Sequence, residues 1–352
     1  MQHYTFPYTE AFHCTAGDCP DSCCKGWEIV IDSKTLQTYQ QTCSPIGETI
    51  RSTLTKNEDD EWMFQNREDG NCPFWNAEKL CDLQIQAGER LLCDTCRQFP
   101  RIPQDYTLFT EHVLSLACPE AARLVLTQTE PFQAIPITQS EPSEPINEAE
   151  LPYSLNWMNC LLETRAVLLQ LFQETSIPLA EALCYGLHYV QQFQDWIEEK
   201  TDDFPELQPI PSKPVFLHHE SVQHLYDTLE WMTPEWADWM QQIQQHPVTD
   251  ADLQAFIKIA EPWIPAFRNF CSYYLYLYWL QALNTGNALI QYQKLLAALH
   301  EIAIVSAWKL RETHTYTLTD CMIIVQRYAK EVMHDAENIE KIEDILYNLG
   351  SL

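Results

Sequence analysis

Glycine is scarce in this chain. The 352 residues contain eight, at positions 17, 26, 47, 70, 88, 186, 286 and 350, and no two are spaced as in G-x-G-x-x-G or a phosphate-cradling P-loop. A glycine-rich nucleotide fold is thereby excluded, so any nucleotide must bind by other means. Basic residues are also few. Against 50 Asp+Glu there are 21 Lys+Arg, a net charge of −29 that repels phosphate backbones and argues against DNA or RNA as a partner. Such acidity serves solubility, or steers a lysine-bearing protein substrate. Long apolar runs are missing as well. The most apolar helix candidate, Phe267 to Leu283, falls short of the ~20 residues of a spanning helix and includes Arg268, Asn269, Ser272 and Gln281, so no membrane span is implied. The opening residues, Met1 to Pro7, lack the basic start and apolar stretch of a secretory signal, from which cytoplasmic residence and reduced thiols are expected. Hydrolase motifs fail too: His300-Glu301 begins a zinc-protease pattern, but position 304 is Ile, and no G-x-S-x-G elbow occurs. His218-His219-Glu220 beside a proline loop reads as solvated surface.

The sequence is rich in cysteine, and unevenly so. Ten of its 14 cysteines precede residue 120. From Thr127 to Pro152 follow Pro131, Pro136, Pro142, Pro145 and Pro152, which favour an extended connector. Beyond it a helical period takes over. Leu179, Leu183, Leu187, Val190 and Ile197 stripe one helix, and Tyr292, Leu295, Leu299 and Ile302 stripe another. A second proline-rich break from Asp202 to Pro214 (Pro205, Pro209, Pro211, Pro214) sets a leading helix pair apart from a later bundle. Thr319 is placed to cap a helix through Ile323 and Val332, and Gly350 to stop the last one. In the front part the one strand candidate is Trp27 to Asp32, with a helix start after Asp32. The expected fold is mainly α: an irregular cysteine-rich metal-binding domain (1–126), a Pro/Glu-rich connector (127–152) and an all-helical domain (153–352).

The front cysteines read Cys14-x4-Cys19-x3-Cys23-Cys24, then Cys72-x8-Cys81, Cys93-x2-Cys96 and Cys118, each near turn residues or proline. Thiolates this dense suit a tetrahedral zinc or a cubane iron–sulfur cluster, and spacing does not choose between them. Cys160, Cys184, Cys271 and Cys321 read instead as small buried residues of the later helices.

The run from Phe12 to Asp32, containing Cys14, Cys19, Cys23, Cys24, Gly26 and Trp27, closely resembles the N-terminus of the flagellin lysine N-methylases. The resemblance continues in Asn71-Cys-Pro-Phe-Trp75, Leu80-Cys81, Gly88-Glu89, Thr95-Cys96-Arg97 through Arg101, and Leu116 to Arg123, so that it covers the first third of the chain in dense motif. Looser similarity touches Arg268 to Leu275 and Gln326 to His334. The resemblance implies methyl transfer from S-adenosylmethionine to lysine ε-amines of flagellin, dependent on a [4Fe–4S] cluster. Its matching metal ligands are Cys14, Cys19, Cys23, Cys24, Cys72, Cys81, Cys96 and Cys118, while Cys43 and Cys93 fall outside its pattern. Eight ligands exceed the four of one cubane, and no lysine-deprotonating residue is identified. The aromatic stretch Tyr273 to Trp279 is a candidate channel for a lysine side chain, or else core. The competing reading is a zinc- or iron-chelating module without methylase activity, since such small domains share the front pattern. A secreted disulfide scaffold fits neither the length nor the start of the chain.

Overall fold

The computed structural model describes residues 2–137, 151–208 and 225–349. His218, His219, Glu220, Gly350 and the prolines at 142, 145, 209, 211 and 214 lie outside them. In the front part the elements run β1 (Gln2–Thr5), α1 (Pro7–Glu10), α2 (Ser33–Gln41), α3 (Pro45–Ser52), β2 (Leu54–Lys56), β3 (Trp62–Phe64), α4 (Asp82–Ala87), α5 (Asp94–Gln98), β4 (Arg101–Asp105), β5 (Phe109–Leu114), α6 (Pro119–Thr127) and β6 (Ile135–Ile137). Helices then dominate: α7 (Leu155–Gln173), α8 (Leu179–Ile197), α9 (Pro234–Gln245), α10 (Asp250–Ala260), α11 (Ile264–Tyr278), α12 (Ala282–Thr285), α13 (Ala288–Thr313), α14 (Leu318–Tyr328), a π-helical turn (Ala329–Met333) and α15 (Ala336–Leu349). No helix among the described residues is long and apolar enough to cross a membrane.

The chain is mainly helical, but its front part is not irregular. It carries a four-stranded sheet ordered β4-β5-β1-β6, in which β1 lies parallel to β5 and antiparallel to β6. Pro103 and Pro136 sit in the two edge strands, where a missing N–H breaks no ladder. The stretch after Thr127 is therefore not wholly extended linker: Ile135 to Ile137 close the sheet against β1. Trp27 to Asp32 is not a strand. It makes a single bridge, Val30 to Met63, and buries Ile29 and Ile31 in a small core. The helix start predicted after Asp32 is present, with the Asp32 carboxylate accepting the Thr35 N–H at 2.8 Å. The cap of α14 is Thr317 rather than Thr319, paired reciprocally with Asp320 in a capping box.

Two clusters of buried side chains hold the molecule. The larger joins Phe6, Val113, Leu116 and Val125 of the front to Leu161, Phe193, Tyr273, Tyr292 and Val325 of the helices. The smaller packs Ile31, Tyr39, Phe64, Phe74 and Leu91 around Cys72 and Cys93. A buried ion pair ties sheet to bundle, Arg165 on α7 gripping both carboxylate oxygens of Glu111 on β5 at 2.6 and 2.8 Å. The stripes on α8 and α13 face one another, and Tyr292 donates to the Leu183 carbonyl at 2.9 Å. This approach requires Gly186, because a Cβ there would lie 2.1 Å from the Tyr292 hydroxyl.

The Tyr273 to Trp279 stretch is core, not channel. Each of its residues is at most 5% exposed, and Tyr278 and Trp279 spend their polar atoms on the Met333 and Leu161 carbonyls. The two segments of looser resemblance also have structural work. Arg268 donates to the carbonyls of Phe172 and Ile177, and Asn269 to those of Leu126 and Gln128, which satisfies chain ends that helices leave open.

Candidate functional site

The cysteine loops are ordered by short-range bonds that follow from the sequence. The chain turns at Gly26 (φ +83°), where the Gly26 N–H meets the Gly70 carbonyl at 3.2 Å and the Cys72 N–H meets the Cys24 carbonyl at 2.8 Å, which brings Cys24 beside Cys72. Asn76 folds the next loop back by accepting from the Leu80 N–H, so that Cys81 bridges Trp75 and begins α4. Asp32 works twice, capping α2 and accepting the Asp94 N–H at 2.9 Å, and so fixes the start of α5, where Cys93 is the cap residue and Cys96 lies in the first turn.

The thiols of these loops act on one another electrostatically. Cys23, exposed at the surface, is raised chiefly by its neighbour Cys24. Cys24 is lowered by Cys23, but Cys72 and desolvation outweigh this and leave it at about 12. Cys72 is lowered by Cys24 despite its burial. In the same way Cys96 is raised by Cys93 and by burial, while Cys93 is lowered by Cys96. Cys81, raised by burial, interacts electrostatically with Cys23 and Cys24, and so does Cys96. Cys23, Cys24, Cys72, Cys81, Cys93 and Cys96 thus form one group.

Cys14, Cys19 and Cys118 form another. Cys118, the residue before α6, is pushed to about 11, chiefly by burial, and feels the charges of Cys19 and Cys14. The eight residues expected from the sequence are therefore divided five and three, and Cys93, which falls outside the resemblance, joins the five. The signal for it was its C-x2-C spacing from Cys96. Cys43 stands apart, exposed and bonded only to the Gln41 carbonyl. Of the helical cysteines, Cys160, Cys271 and Cys321 are buried and Cys184 partly so. All fourteen are free thiols. Among the described residues no three Cys, His, Asp or Glu side chains close on a point as ligands of a single metal ion do.

One element that composition did not flag braces the larger group. In the π-helical turn, the buried Lys330 ammonium donates to Asp21 at 3.0 Å and to the Ser22 carbonyl at 3.4 Å, directly before Cys23. Gln326 joins Asp21 to the Ala117 carbonyl, directly before Cys118, so one side chain touches the approaches to both groups. On the other side of the turn Glu331, 1% exposed, accepts from the Met232 and Thr233 N–H groups and the Thr233 hydroxyl. π-turns are rare and frequent at functional sites.

Comparison with known proteins places these residues in context. Over 120 residues the chain is 34% identical to a flagellar biosynthetic protein FliU of Salmonella muenchen, covering 33% of this chain and 71% of that protein. It is 33% identical over 124 residues to a lysine-N-methylase of Salmonella typhimurium, and 34% identical over 120 residues to one of Salmonella choleraesuis. Those alignments cover 34% and 33% of this chain but only 31% and 30% of the two methylases. No protein-family model and no solved structure matches.

Proposed function

The chain belongs to the flagellin lysine N-methylase family, and from that premise we propose that it is a cytoplasmic enzyme that moves a methyl group from S-adenosylmethionine to lysine ε-amines of flagellin, with a [4Fe–4S] cluster held by the six-cysteine group. The observation that carries this reading is the mutual electrostatic influence of Cys23, Cys24, Cys72, Cys81, Cys93 and Cys96, which come from four separate loops. By its chemistry, though not by a closed ligand geometry, the donor set suits such a cluster. It is all sulfur, it contains no histidine, and two of its members, Cys72 and Cys93, are already shifted toward the thiolate that binds iron. Backbone N–H groups of Phe74, Leu83, Gln84 and Cys96 favour negative sulfur at Cys72, Cys81 and Cys93.

A cluster held by these cysteines would supply a hold for the polar end of the methyl donor, a role left vacant by the missing glycine-rich turn. The chain's own part is to fix the thiols: Asp32 sets Cys93 and Cys96, Lys330 and Gln326 set the loop before Cys23, and Gly26 lets that loop turn. The acidic surface draws lysine-rich faces of the substrate toward the enzyme. Protein purified without oxygen should carry iron and acid-labile sulfide in near-equal amounts, and flagellin co-expressed with it should gain methyl groups on lysine by mass spectrometry. Stoichiometric zinc without sulfide, together with unmodified flagellin, refutes the proposal. That result would favour the second reading, a metal-chelating module, for which the short coverage of the methylases speaks.

A further inference from the structure

The helical part holds a pocket that the sequence did not announce. It opens between the segment Tyr226 to Trp231, α9 and α13, and its polar wall is Glu301 with Asp227, its apolar wall Tyr226, Trp231 and Ile304. Glu301 is 6% exposed, and no described residue donates a hydrogen bond to it. Asp227, in contrast, accepts from Gln244 at 3.0 Å. A buried carboxyl without a donor costs free energy unless something arrives to pair with it. Among the described residues no Lys, Arg or His lines the pocket.

We infer that this pocket binds a primary ammonium group on an apolar stem and that Glu301 takes its proton. The inference rests on the lysine-methylation reading for its biological role, though its geometry does not. Two carboxyls match a cation, and aromatic and aliphatic walls match a methylene chain and the face of an ammonium. One edge of the pocket adjoins the segment that packs on the turn after Cys24. Trp231 is followed by Met232, and a Cβ on Gly26, two residues past Cys24, would lie 3.1 Å from Met232 Cγ. Glu331 fastens the Met232 N–H from the π-turn at 2.6 Å.

The chemistry closes. The ammonium gives its proton to the Glu301 carboxylate. The neutral nitrogen attacks the methyl carbon of the sulfonium, the N–C bond forming as the C–S bond breaks with its electron pair left on sulfur, so a methylated ammonium and a thioether result. Burial, and then the Asp227 charge, lift Glu301 to about 8. A free Lys lies near ~10.4, so this acceptor is far better matched than an ordinary Glu at ~4.3. Among the described residues the titratable groups that act on Glu301 are Asp227, Tyr226 and Tyr328, both tyrosines being raised by burial and held near neutral form.

The probe is n-butylamine, titrated calorimetrically into the intact protein at pH 7, with n-butanol as the uncharged control. Wild type should bind the amine and not the alcohol, and should release about one proton per amine as Glu301 ionises, seen as a heat that varies with the buffer's ionisation enthalpy. Glu301→Gln, nearly isosteric, should bind about tenfold or more weakly and release no proton. Equal amine affinity in the two proteins overturns the inference, and so does the absence of proton release in wild type, which needs no variant to fold. The two proposals fail separately. Amine binding through Glu301 without flagellin methylation removes the enzymatic reading and leaves the site, whereas methylation that survives Glu301→Gln with an unchanged pH profile does the reverse.

Discussion

Lys330→Met tests the brace between the helices and the cysteine loop. In the native chain the ammonium sits 3.0 Å from Asp21, with side-chain exposures of 3% and 23%. Two unit charges at that separation attract by about 5 kcal/mol at an effective dielectric of ~20. Solvent reaching the exposed part of Asp21 and the desolvation of both groups reduce the net effect. Methionine leaves Asp21 with Gln326 and the Ser22 N–H, so the carboxylate is weakened rather than orphaned. A loss of about 2–3 kcal/mol is expected, read as a fall of several degrees in the thermal midpoint.

The same substitution has a pH signature. Burial works against the Asp21 carboxylate, but Lys330 and the hydrogen bonds around it outweigh burial and hold the group below its usual range. A folded pKa below the unfolded ~3.9 means that this stability is fully present above pH ~4 and is lost as pH falls through the lower folded value. The gap between wild type and Lys330→Met should therefore be constant from pH 7 to about 5 and close on further acidification. Alkylation of Cys23 should also be faster in the variant, since the Asp21-Ser22 turn is what Lys330 holds. Equal stability of the two proteins at pH 7, or a gap that widens in acid, would refute the reasoning.

Two other outcomes are expected. Cys93→Ser should lose bound iron as completely as Cys96→Ser while Cys43→Ser keeps it, measured by iron and sulfide content after anaerobic purification; retention by Cys93→Ser would remove Cys93 from the ligand group. Gly186→Ala should destabilise by about 1–3 kcal/mol, because Tyr292 must move and lose its bond to the Leu183 carbonyl, and an unchanged unfolding midpoint would show that α8 and α13 do not need that close approach.

The helical part was legible because its signals are local. The stripes on α8 and α13 repeat within one helix, and Asp32 announces a helix start within three residues of the N–H it accepts, although the start of α14 was read two residues late, at Thr319 rather than Thr317. The sheet was not legible for the opposite reason. β1 has four residues, and its parallel partner β5 begins more than a hundred residues later, so nothing near either strand marks the pairing. Trp27 to Asp32 has strand composition without a strand to pair with, and composition alone could not show that Met63 offers only one bridge. The aromatic stretch on α11 was ambiguous in sequence because a core stripe and a channel wall share a period.

The same distinction explains the site. Cysteine spacing revealed that thiols gather, since turns and metal ligands both leave short-range marks. It left open their division, because what sends Cys118 to Cys14 and Cys19 rather than to Cys72 is the course of the sheet, and Cys118 follows β5 directly. Glu301 shows the limit most sharply. Its one sequence association was the failed zinc-protease pattern, in which Glu301 was judged by the missing second histidine. In the fold its significance comes from Asp227 and Trp231, some seventy residues earlier in the chain, and from the lack of a described donor. A buried carboxyl becomes chemically informative only when its neighbours are known, because the same residue with an arginine beside it, as Glu111 has in Arg165, is structural.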